Sequence, residues 1–168
     1  MTKKKKRKMA DTPHIIILGV GNTLFSDDGV GIRVIEKLEK EHDFPDNVSV
    51  IDGGVLGINL FGVIADADYL IIVDTVLNNG KPGDIHRLTG KDIPARILAK
   101  NSLHQVGLVE SITLFQLMDH SPETVIIGIE PEDINTMNPE LTDIVKGKVD
   151  DLANAVLDEL YQFYIETV

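Results

Sequence analysis

With 168 residues, 43% of them hydrophobic, and a mean hydropathy of +0.04, the chain has the size and balance of one soluble globular domain. No apolar run approaches the roughly 20 residues of a helix that spans a bilayer, so no membrane insertion is expected. The net charge of −11 is uneven: Lys3 to Lys6, Arg7 and Lys8 give the first eight residues six basic groups, while residues 9–168 hold 10 basic against 27 acidic side chains, a balance of −17 that argues against nucleic-acid binding.

Residues 1–12 read as a solvated, disordered basic extension, and residues 13–168 as a single α/β domain. The basic run leads through Met9-Ala-Asp-Thr-Pro13 straight to the first strand, without the apolar core of a secretory signal. Cysteine is absent, which removes disulfides, thiolate ligands and cysteine nucleophiles and fits a cytoplasmic location.

His14 to Leu18 predicts a first strand. The glycine-rich stretch Gly19-Val-Gly-Asn-Thr-Leu-Phe-Ser-Asp-Asp-Gly-Val-Gly31 then turns into a helix with Val30, Val34, Ile35 and Leu38 at helical spacing, ending near His42, and Ser26 or Asp27 is the expected N-cap. A short strand over Asn47–Ile51 ends at Asp52-Gly-Gly54, and a second helix follows Gly57. Tyr69–Val73, an unbroken apolar run, predicts a central parallel strand covered on both faces, and Asp84–Leu88 an edge strand. Helical spacing resumes from Val106 to Met118, with His104 just ahead; Thr124–Ile129 is the last strand, closed by Glu130-Pro131. One long helix is expected from about Pro139 to Tyr164, its buried stripe including Leu141, Ile144, Val145, Leu152 and Leu160. The order implies a three-layer α/β sandwich, a mostly parallel twisted sheet of about five strands with helices on both faces.

In such a sheet ligands bind at the carboxyl ends of the strands. There the sequence places Asp27 and Asp28 after the first strand, Asp52 after the second, Asp74 after the third, and His104 before a helix. Carboxylates and an imidazole from separate segments can hold a divalent transition ion with positions left open for water or substrate. Each also has a structural reading, because an aspartate at a strand end is most often a turn former or cap. The other histidines, His14, His42, His86 and His120, have no assigned role, and no serine lies in a G-x-S-x-G elbow. The glycine stretch lacks the third glycine of a G-x-G-x-x-G fingerprint, with Leu24 in its place, and puts two acids where a pyrophosphate would sit. A nucleotide-binding α/β module is therefore the alternative reading, with Asp52 on a ribose.

Gly19-Val-Gly-Asn22 with Asp27-Asp28-Gly-Val-Gly31, Asp52-Gly-Gly54, Ile71-Ile-Val-Asp74 and His104-Gln-Val-Gly107 resemble, in order and spacing, the hydrogenase maturation endopeptidases. The resemblance runs from about residue 14 to 165. It implies an endopeptidase that removes a short C-terminal extension from the large subunit of a nickel-iron hydrogenase after nickel insertion. It implies Asp28, Asp74 and His104 as the metal-contacting residues, with Asp28 and Asp74 as the catalytic pair, and Asp52, Gly53 and Gly54 in substrate recognition. The nickel would be delivered by the substrate, with other divalent ions able to replace it in vitro. Two chemistries stay open, a metal-activated water with a carboxylate base and an aspartyl protease mechanism. A non-catalytic, nickel-dependent maturation chaperone is the other function class.

Overall fold

The computed structural model describes residues 12–54, 60–90 and 121–166. Its sheet has five strands: β1 (Ile15–Val20), β2 (Val48–Gly54), β3 (Tyr69–Thr75), β4 (Ile85–Thr89) and β5 (Glu123–Ile129). They stand in the order β2-β1-β3-β5-β4. All neighbours are parallel except β4, which runs antiparallel to β5 at the edge. β3 lies at the centre, and Leu70, Ile71 and Ile72 within it are each 0% exposed, as its apolar run predicts. Ile72 sits in register with Leu18 on one side and Ile126 on the other.

Because successive residues of a strand face opposite ways, the strands supply two cores. Ile15, Ile17, Ile71, Val73, Val125 and Ile127 face α1 (Val30–Glu41) and the last helix. Ile16, Leu18, Leu70, Ile72 and Ile126 face the other way, toward Ile64 of α2 (Leu60–Ile64) and Ala67. The four α1 residues chosen by periodicity, Val30, Val34, Ile35 and Leu38, are all buried. At the edge, Arg87 of β4 reaches Glu159 of the last helix through two bonds of 2.6 and 2.8 Å, which ties that helix across the antiparallel strand. Among the described residues, no helix is long and apolar enough to cross a membrane.

Two local expectations need correction. The single helix expected from Pro139 is two, α3 (Asp143–Lys146) and α4 (Val149–Glu166). Thr142 caps α3, its hydroxyl accepting from the Val145 N–H, and the chain breaks at Gly147, so residues 139–142 run as an irregular strap. Ile144 accordingly sits outside the buried stripe at 45% exposure, while Val145, Leu152, Val156 and Leu160 are buried. The second correction concerns α1. Neither Ser26 nor Asp27 caps it; residues 26–29 form a 3-10 turn leading into it, and Gly29 stands at its N-cap. Both side chains bind elsewhere. The predicted helix over 106–118, with His104 and Gly107, lies outside the described residues, as do residues 1–11.

Candidate active site

The carboxyl edge is level across the sheet. Asp52 of β2 pairs with Gly19 of β1, and Gly19 with Val73 of β3, so Asp52 and Asp74 flank the end of β1. Two strand spacings set their backbones about 10 Å apart. Above this edge the 3-10 turn of residues 26–29 folds down onto β3, because the glycines leave it room. A Cβ added to Gly31 would lie 2.3 Å from the Val73 carbonyl oxygen and 2.5 Å from that of Val20. One added to Gly21, whose φ is +143°, would lie 1.9 Å from the Asp28 carbonyl oxygen. The space beside these glycines is filled by the chain's own backbone, which accounts for the glycine pattern without a phosphate. Asp28, in the turn packed against β3, and Asp74, at the end of β3, come from segments more than 40 residues apart, and both are buried, at 4% and 1% exposure.

Each carboxylate is held by its own backbone surroundings. Asp28 Oδ2 accepts the Asn22 N–H at 3.2 Å, and Asp74 Oδ1 accepts the Thr75 N–H at 2.7 Å. Two oxygen ligands from separate segments suit a divalent ion that finds its other ligands elsewhere. Among the described residues, no group of three or more histidine, cysteine or acidic side chains forms a complete metal site. His104, the third residue of the expected set, lies outside the described residues.

Asp27 points the other way and is 0% exposed. Its Oδ2 accepts the N–H groups of Glu132 and Asp133 at 2.9 and 3.0 Å, and its Oδ1 the N–H and hydroxyl of Thr142 at 2.8 and 3.0 Å. The two adjacent aspartates therefore divide: one closes the turn on the sheet edge, and the other fastens a distant strap. The partners of Asp27 lie 105 to 115 residues away, so a reading of neighbouring sequence has no means of finding them.

Asp52 and Gly54 line a cleft of about 330 Å³ with Asn22, Leu24, Arg33 and Glu36. Here β2 bulges: Gly19 pairs with Asp52 and Val20 with Gly54, which leaves Gly53 outside the pairing. Asp52 is exposed, and its Oδ1 accepts the Gly54 N–H at 2.9 Å. Gly53 itself is buried. Of the histidines without an assigned role, His14 meets the Ser49 hydroxyl at 3.0 Å, while His86 contacts Asn78 at 3.2 Å and Glu130 at 3.3 Å. Both serve local packing of the fold. His120 lies outside the described residues.

Residues 32–159 match the family model described as hydrogenase maturation protease. The chain is 32% identical over 157 residues to the Hydrogenase 2 maturation protease of Escherichia coli K12, covering 92% of this chain and 95% of that one. It is 34% identical over 155 residues to the hydrogenase expression/formation protein HupD of Rhodobacter capsulatus, covering 91% and 74%. Among solved structures, the hydrogenase maturating endopeptidase HybD from E. coli superposes with a TM-score of 0.83 at 32% identity, over 89% of this chain and 93% of that one. Sequence and fold agree over the same span, and the chain belongs to the hydrogenase maturation protease family of processing endopeptidases.

Proposed function

We propose that this peptidase removes the C-terminal extension of a nickel-iron hydrogenase large-subunit precursor, and that it reads the substrate-bound nickel through Asp28, Asp74 and His104. The observation that supports the proposal is the burial of two aspartates at the carboxyl edge, Asp74 at the end of β3 and Asp28 in the turn packed on β3, in a chain of this family. An incomplete set of oxygen and nitrogen donors binds free metal weakly and completes its shell only on an ion already held by another protein. Recognition of the cargo and permission to cut would then be one event.

Hydrolysis requires a water oxygen to add to the scissile carbonyl carbon and the C–N bond to break, with a proton passing from that water to the departing amine nitrogen. Asp28 or Asp74 takes the proton from the attacking water and returns it to the nitrogen, acting first as base and then as acid. The substrate nickel would polarise the water or carbonyl beside them. In the aspartic alternative the two carboxylates share these tasks without the metal. Of Asp52, Gly53 and Gly54, the first and last, which line the cleft, would meet the substrate polypeptide, with the buried Gly53 shaping the bulge between them.

Mass measurement of the precursor tests the proposal. A nickel-loaded precursor should lose its extension on incubation with this protein, whereas casein and the metal-free precursor stay intact. Asp74→Asn should abolish the loss. Efficient cleavage of the metal-free precursor would overturn nickel reading, and an uncut nickel-loaded precursor would overturn the substrate assignment.

A further inference from the structure

We propose that Asp27 is a positioning residue of this peptidase: by fastening residues 132–142 to the turn over residues 22–29, its carboxylate holds Asp28 at the sheet edge. The inference rests on the role proposed for Asp28 at the substrate metal. Every group that meets Asp27 is a donor, with backbone N–H groups at both oxygens. Only an acceptor-only side chain satisfies that arrangement. An asparagine in either orientation turns its NH₂ toward a backbone N–H that cannot reverse its role. Being 0% exposed, the site gives a longer glutamate no room to move outward.

The residue before Asp27 shows what the clamp resists. Ser26 has φ +41°, a left-handed conformation that a side chain disfavours. It is held there by the same strap, because its N–H donates to the Asn138 carbonyl at 2.7 Å and its hydroxyl to that of Glu140 at 3.2 Å. Strain of this kind persists only where the surroundings over-determine it. The Asp27 N–H adds a further bond, 2.9 Å to the Asp133 carbonyl. The Asp28 N–H donates to the Phe25 carbonyl, and the Asp28 carbonyl and carboxylate accept from the Asn22 N–H, bonds that lie within the turn and move with it. Release of the strap would let Ser26 relax and carry Asp28 away from its place against β3.

The test compares Asp27→Asn and Thr142→Val with the parent protein, at a temperature where circular dichroism shows each folded. Three quantities are read: amide hydrogen exchange, cadmium affinity by calorimetry, and kcat on the nickel-loaded precursor. Asp27→Asn should quicken exchange in both 132–142 and 22–29, weaken cadmium binding by about tenfold, and lower kcat by about 100-fold. Thr142→Val, which removes one of the donors, should change all three in the same direction by less, and it carries the test if Asp27→Asn does not fold. Faster exchange confined to 132–142, with cadmium affinity and kcat unchanged, would reduce Asp27 to a structural clamp and overturn the proposal. If the parent protein leaves the precursor uncut, the substrate assignment fails instead, and coupling between the two segments in exchange still decides the role of Asp27.

Discussion

The first two strands leave the sheet in opposite ways. Where β1 ends, the chain is fixed from every side: glycines seat its turn on the carbonyls of Val20 and Val73, and bonds from Ser26 and Asp27 tie it to residues over 100 positions away. Where β2 ends, Asp52 is exposed, and the bulge is held by the short bond within Asp52–Gly54 and one from the Gly21 N–H to the Gly54 carbonyl. The contrast separates two requirements on one edge. Under the proposed function, a carboxylate that must be in place before substrate arrives would be the over-determined one, and the exposed Asp52 would belong to the surface that receives a polypeptide.

The comparison breaks most sharply at Gly31. A methyl group there meets two backbone oxygens that cannot swing aside, so Gly31→Ala should lower stability by about 3 kcal/mol in urea unfolding. Gly62→Ala, in a helix with nothing among the described residues within 4 Å of the new methyl, should instead raise stability by about 0.5 kcal/mol. Equal stabilities for the two variants would mean that the turn is not locked to the sheet.

The open side should respond in binding rather than in folding. Gly54 has φ +46°, with only Asp52 Oδ1 among the described residues near an added Cβ, at 3.6 Å, so Gly54→Ala should cost about 1 kcal/mol of stability. With Asp52→Ala, it should raise KM for the precursor while leaving kcat nearly unchanged. A fall in kcat at constant KM would move Asp52 from recognition to chemistry.

The smallest effect lies at the strap's tip. Bonds from the Thr136 hydroxyl and from the N–H groups of Asn135 and Thr136 hold the Asp133 carboxyl below its ordinary pKa. A lowered folded-state pKa gives stability that is present above the unfolded value and lost as pH falls through the folded one. The amide resonances of Asn135 and Thr136 should therefore titrate below the usual aspartate range. Thr136→Val should raise that midpoint, and an unmoved midpoint would discount the hydroxyl.

Most of the sheet was legible in the sequence because its signals are local. Tyr69–Val73 announces a doubly covered strand by its apolar run, α1 by its spacing, and β4 by Ile85 and Leu88 among polar residues just after the turn ending in Pro82-Gly83. Asp28, Asp52 and Asp74 could be gathered at one edge because strand ends are readable from composition. The function of Asp27 could not, since Asp27 and Asp28 are equivalent in type and neighbours in sequence, and only contacts with Glu132, Asp133 and Thr142 distinguish them. The break before α4 was hidden for a related reason: the apolar period runs on through Ile144, and the strap's bonds to the first turn draw the preceding residues out of a helix.

The span of those bonds also sets an order of assembly. During synthesis β1, α1 and β2 can begin to pair as soon as they emerge, but the turn that carries Asp28 lacks its anchors until residues 132–142 leave the ribosome. Closing so long a loop adds little free energy per residue but delays the contact. The proposed cutting corner is thus among the last parts of the molecule to take shape, and a nascent or truncated chain ending before the strap would have a sheet without a competent peptidase.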